Sequence, residues 1–165
     1  MFKKFIGNTK NGFAVYFDSL GSHAATHFMD TPELFFLVVE ALADSEPEEK
    51  LIRFEKDMGR IIGSTDLFEI QSGDDIVYAK RISRNKYTPF VKNRSPQPTP
   101  YITLELQKSG DKEYNLYTAY IGRLTPSIPG GEDETPESRS YWAKHALIWG
   151  TQAIVPGTET KECPW

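Results

Sequence analysis

The hydrophobic period of this 165-residue chain changes partway along it, and that change limits what the chain can fold into. In DTPELFFLVVEALAD, residues Leu34, Phe35, Val38, Ala41 and Leu42 fall at i, i+1, i+4, i+7 and i+8 and form one apolar stripe of a helix. Asp30 or Thr31 can cap it, Pro32 suits its first turn, and Glu33 favours its positive end. From Gly63 onward the period moves toward two. TDLFEI, DIVYAKRIS, YTPFVK, YITLELQ and EYNLYTAYIGR then read as strands, parted by the turns Ser72-Gly73-Asp74, Arg84-Asn85 and Ser109-Gly110-Asp111. Ile102, Leu104 and Leu106 share one face of YITLELQ while Thr103 and Glu105 share the other, the pattern of a half-buried antiparallel sheet.

Two further segments carry helical signals. SEPEEKLIRFEKDMG has a Ser45/Glu48 capping box and a stop at Gly59, although a surface strand through LIRFE fits nearly as well. ESRSYWAKHALIW puts Tyr141, Trp142, His145, Ala146 and Trp149 on one helical face. The sum is an α+β fold. N-terminal helices are expected on one face of a mostly antiparallel sheet of four to six strands, followed by a C-terminal helix. One domain spans residues 1–165, with mobile loops at about 94–100 and 125–136 and a frayed tail at 156–165.

Several function classes are excluded. Cys163 is the single cysteine, so neither an internal disulfide nor a cysteine zinc site is available. Asn8, Lys10 and Asn11 interrupt any signal-peptide core, and LFFLVVEALA is too short to span a bilayer, so cytoplasmic residence and no membrane are expected. No GxxxxGK[ST], GxGxxG or GxSxG motif is present.

Between Ile76 and Pro100 there are six cations (Lys80, Arg81, Arg84, Lys86, Lys92 and Arg94) and no acid, in a chain of net charge -4. That is a local positive field. On a continuous strand, Lys80 and Arg84 project to one face with Tyr78 and Ile82, and Arg81 to the other. Such cations, interleaved with tyrosines such as Tyr87, suit a phosphodiester. They also suit a solvated sheet edge guarded against aggregation.

Hydroxyls recur in NLYTAYIGR, with Tyr117 on one face and Thr118 and Tyr120 on the other. They read either as packed, satisfied groups or as groups that orient a phosphate oxygen beside cations of a neighbouring strand. His23 and His27 stand at i and i+4, a zinc-compatible spacing, but no third ligand accompanies them and no metal or other cofactor is expected. A general acid or base is the better functional reading for one of them, against ordinary surface histidines before a helix cap.

The order of a histidine before TPELFFLVVEAL, a cationic strand YAKRISR, the hydroxyl strand KYTPFV and the late strand YNLYTAYIG resembles the small nuclease superfamily that groups barnase, EndoU, colicin D and the RelE toxins, in its prophage and polymorphic-toxin branches. The resemblance covers roughly His23 to Pro129, and the Trp-rich C-terminal segment departs from it. It implies metal-independent cleavage of a structured RNA, with tRNA among the candidates, through a 2',3'-cyclic phosphate. Lys80 and Arg84 would stabilise the transition state, His27 or His23 would move a proton, and Thr88, Thr118 or Tyr120 would orient the phosphate. Arg81, Lys86, Tyr87 and Tyr117 would contact substrate. A protein antagonist is a second expected partner, and DNA is not expected. The alternative is a non-catalytic RNA- or protein-binding module of phage or mobile-element origin that uses the same cationic face.

Overall fold

The computed structural model describes residues 3–18 and 32–165. In chain order its elements begin with strands β1 (Lys3–Asn8) and β2 (Ala14–Asp18), helix α1 (Pro32–Ala43), and strands β3 (Leu51–Asp57), β4 (Gly63–Thr65) and β5 (Leu67–Glu69). Strands β6 (Ile76–Lys80), β7 (Tyr87–Val91), β8 (Gln97–Thr99), β9 (Tyr101–Gly110) and β10 (Glu113–Ile121) follow. Helix α2 (Ser138–Trp142) and strand β11 (His145–Ile148) complete the set. The chain divides into two units: the described residues up to Gly63 together with Pro98–Leu124, and Ser64–Gln97 together with Thr125–Trp165.

The first unit is a five-stranded sheet in the order β1-β2-β10-β9-β3 with α1 against one face. Its ladders are antiparallel except for β2 beside β10. The expected stripe of α1 is the one buried: Leu34, Val38, Ala41 and Leu42 pack on Val15, Phe17, Leu104, Leu106 and Leu116. Each fully buried branched side chain contributes about 1.5–3 kcal/mol. The hairpin expected between YITLELQ and EYNLYTAYIGR forms, but its turn is Asp111-Lys112, because β9 continues through Ser109 to Gly110, which pairs with Glu113.

The second helix does not form. Ser45 donates its amide to Leu42 O (3.0 Å) and its hydroxyl to Ala41 O, so it closes the C-terminal end of α1 instead of starting a new helix. The following LIRFEKD becomes β3, with Ile52 opposite Leu106 and Phe54 opposite Leu104. Period-two pairing with a buried neighbour outweighs the local capping signal.

The second unit is built on a four-stranded sheet, β5-β11-β7-β6, antiparallel except for β11 beside β7. Phe68, Val91, Ala146 and Ile148 form one buried cluster, and Val77, Ala79 and Phe90 another. The Phe90 ring meets Trp149 edge-on at 5.6 Å. Here the expected C-terminal helix is corrected. It is one short turn, after which the Tyr141 and His145 rings stack at 3.9 Å and HALI runs as a strand inside the sheet. Ala146 and Ile148 are buried while His145 and Leu147 are half-buried, an alternation that two flanking ladders stabilise and a helix would waste.

The segments read as loops and tail carry defined partners. Gln97–Thr99 pairs with β4 in a two-stranded ribbon. Trp142 Nε1 donates to Pro126 O at 3.0 Å, and Gly130 N to Glu134 Oε1 at 2.8 Å. The tail lies along the outer edge of β6. Tyr78 and Thr160 exchange amide hydrogen bonds of 2.7 and 2.8 Å, Val155 N donates to Lys80 O at 2.8 Å, and Trp165 meets the Tyr78 ring edge-on at 5.8 Å. Among the described residues no helix is long and apolar enough to cross a membrane.

Candidate functional site

Strands β6 and β7 pair with Lys80 opposite Tyr87 and Ala79 opposite Thr88. The strand stops at Lys80, and residues 81–86 make the connection. Asn85 adopts φ 52, a left-handed conformation that asparagine tolerates better than most residues. Its amide donates to Arg81 O at 2.7 Å, and Arg81 N donates to Lys86 O at 3.2 Å, which closes the turn. Arg84 therefore does not continue the Lys80 face of a strand. It stands exposed in the turn, because the chain reverses before a strand could carry it.

Arg81 keeps the parity of Val77 and Ala79 and turns inward, as its alternation with Lys80 requires. Its Nε donates to Thr88 Oγ1 at 3.0 Å, and Thr88 has no exposed surface. Burial, with a smaller contribution from the like charge of Arg84, pulls the Arg81 guanidinium down to about 10. Among the described residues no carboxylate pairs with it. On the other face Lys80 Nζ lies 5.4 Å from the centre of the Tyr87 ring.

The remaining cations of the acid-free run are engaged elsewhere. Lys86 is ion-paired with Asp133, and Arg94 Nε with Asp74 Oδ1 at 2.7 Å. Lys92 Nζ sits 4.8 Å over the Trp149 ring. Among the described residues Lys80, Arg81, Arg84 and Lys92 have no carboxylate partner, and the first three of these stand at the β6–β7 turn. The two guanidiniums, near enough for Arg84 to act on Arg81, can hold an anion, their forks being suited to phosphate oxygens, while Lys80 stands on the opposite face of β6.

The other expected site residues are distributed differently. Tyr117, Thr118 and Tyr120 belong to β10, in the sheet of the first unit, so they do not lie on a strand neighbouring β6. Thr118 faces Glu105 and Tyr120 faces Thr103 in that sheet. Burial raises the Tyr120 phenol, against hydrogen bonds with Thr103 and Arg53 that lower it. Thr88 is the expected hydroxyl that bonds a cation of the acid-free run, Arg81. His23 and His27 lie outside the described residues. His145 sits in β11 with Nδ1 2.8 Å from Tyr141 O. Among the described residues no group of three or more His, Cys, Asp or Glu could hold a metal ion.

The tail supplies contacts that the sequence reading missed. Lys80 N donates to Thr158 Oγ1 at 3.0 Å, and Ile82 N to Ala153 O at 3.0 Å, so residues 153–160 brace the strand that leads into the turn. Alternation of threonine and charge in TETKE was the available signal for an extended segment. Comparison with protein-family models, curated proteins and solved structures gives no match.

Proposed function

We propose that the chain is a non-catalytic RNA-binding module that grips the sugar-phosphate backbone at the β6–β7 turn with Arg81, Arg84 and Lys80. The observation that carries this reading is the half-buried Arg81 guanidinium, tied to Thr88 and lacking a carboxylate among the described residues. A cation withdrawn from water without a counter-ion is costly, and a bound phosphodiester removes that cost. Arg84 adds a second fork in the solvent-facing turn. Tyr87, beneath Lys80, offers a ring on which a base can stack.

Binding is favoured over cleavage by the chemistry of the turn. Guanidinium and ammonium groups hold charge but do not exchange protons near neutrality. Attack by a 2'-hydroxyl would also need a proton carrier, a role open to His23 or His27.

The test is fluorescence anisotropy with a short single-stranded RNA and with tRNA, in EDTA, on the full chain and on a Lys80→Ala/Arg84→Ala double variant. Binding that weakens with salt at a slope of about -2, the value for roughly three phosphate contacts to a single strand, supports the proposal if the double variant loses it and the RNA stays intact. RNA cut to 2',3'-cyclic ends makes the protein a ribonuclease instead. Absence of both effects assigns the cations to a solvated sheet edge.

A further inference from the structure

A separate groove of about 390 Å³ lies within the second unit, lined in part by Phe68, Ser72, Asp74, Arg94, Ser95 and Gln97. Its floor is organised around one arginine. The turn Gln71–Asp74 reverses at Gly73, whose φ of +91 suits glycine, and aims the Asp74 carboxylate inward until 3% of that side chain remains exposed. Asp74 Oδ2 accepts the amide of Gln71 at 2.7 Å, and Oδ1 accepts Arg94 Nε at 2.7 Å. The backbone amide and, after it, the guanidinium hold this carboxyl below its ordinary range. The Arg94 guanidinium carbon also lies 5.5 Å from the centre of the Phe68 ring. Next to it Asn93 is fixed at both ends, accepting from Asp75 N at 2.9 Å and donating to Gly73 O at 3.0 Å.

Arg94 is therefore held on one edge and one face, while its two Nη groups have no acceptor among the described residues and its side chain is 30% exposed. A guanidinium fixed through Nε presents the Nη pair as a planar double donor, the geometry that matches two oxygens of a carboxylate. Around it stand uncharged polar side chains: Ser72, Ser95 and Gln97. The charge around it selects among anions. Asp74 is at the floor, and Glu69 lines the continuation of the groove past Leu67 and Gln71, so one cation faces two acids. A dianionic phosphate is repelled there more strongly than a monoanion, so the double donor favours a singly charged carboxylate.

The geometry points to a carboxylate-binding site centred on Arg94, which takes a small polar monocarboxylate such as an acylated amino acid. It is independent of the RNA contact at the β6–β7 turn, since none of Lys80, Arg81 and Arg84 lines the groove.

The test titrates the isotope-labelled full chain with N-acetylglycine, with its methyl ester and with inorganic phosphate, and follows backbone amide resonances. Saturable shifts confined to residues 71–74 and 93–97 are expected with the acid, none with the ester, and at least about tenfold weaker binding with phosphate. Arg94→Lys keeps a cation for Asp74 but loses the double donor, and should weaken binding by about tenfold or more. Ser95→Trp fills the groove from an exposed position, leaves Arg94 and Asp74 paired, and should abolish binding. The Lys80→Ala/Arg84→Ala variant should bind the acid as the parent does, whatever it does with RNA. Equal shifts with the ester, equal or tighter binding of phosphate, or full affinity in Arg94→Lys or Ser95→Trp would overturn the assignment.

Discussion

Arg81 and Thr88 are joined across the β6–β7 hairpin by a 3.0 Å hydrogen bond from a guanidinium Nε to a hydroxyl with no exposed surface. The pair fixes the guanidinium at the base of a turn in which Arg84 is exposed and Lys80 is half-buried over Tyr87. The charge is half-buried and drawn down to about 10 chiefly by burial, a cost that the proposed phosphodiester would relieve.

Arg81→Met should accordingly separate binding from stability. The apolar replacement removes the desolvation cost of the buried charge, which offsets a loss of about 1–3 kcal/mol from leaving the buried Thr88 hydroxyl without its donor. Urea unfolding should therefore show stability within about 1 kcal/mol of the parent or above it, while RNA affinity falls by about tenfold or more. A strongly destabilised variant would mean that the guanidinium serves the fold.

Acid stability should depend on Asp74. Its folded-state carboxyl is lowered, first by the Gln71 amide and then by Arg94. A depressed carboxyl stabilises the fold fully above the unfolded group's pKa of about 4, and that contribution disappears as pH falls through the lower folded value. The gap in unfolding midpoint between the parent and Asp74→Asn should be present near neutral pH and should close in acid. A gap that widens in acid would contradict the ion-pair reading.

The tail should behave as an added strand. Tyr78 and Lys80 direct their amides to Thr160 O and Thr158 Oγ1, whereas Val77 and Ala79 alternate toward β7. Truncation after Gly157 should raise amide hydrogen exchange at Tyr78 and Lys80 by about tenfold or more and leave Val77 and Ala79 protected. Equal acceleration at all four positions would mean that the tail holds the whole sheet.

In the first unit, the hydroxyl of the fully buried Tyr114 donates to Glu49 O at 2.7 Å and anchors the connection between α1 and β3. Tyr114→Phe should cost about 1 kcal/mol in urea unfolding, the net worth of one hydrogen bond. No measurable loss would show that water replaces the contact.

The local signals carried the parts of the fold that local chemistry decides. Pro32 and the Leu34, Val38, Ala41 and Leu42 stripe specify α1, and the two alternating runs around Gly110 and Asp111 specify the β9–β10 hairpin, although its turn falls at Asp111-Lys112. Where long-range pairing decides, the local pattern misled. Tyr141, His145 and Trp149 share a helical spacing, yet β5 and β7 recruit HALI into the sheet interior. Ser45 and Glu48 have capping-box spacing, yet Ser45 is consumed at the end of α1. The site was legible to the same degree. Lys80 and Arg84 were marked by the acid-free run, and strand parity put Arg81 on the face opposite Lys80, whereas the expected shared face of Lys80 and Arg84 is lost because β6 ends at Lys80. The contact of Arg81 with Thr88 depends on a turn conformation at Asn85, and the placement of Thr118 and Tyr120 in the sheet of the first unit depends on strand order. Neither is written in spacing along the chain.

The most direct test of the proposed RNA contact follows the Arg81 Nε–H resonance during titration of the full chain with a short single-stranded RNA. The expected result is a saturable shift of that resonance together with the amides of residues 80–88. Shifts confined to β10 or to the Arg94 groove, or no shift at RNA concentrations that saturate anisotropy, would contradict it.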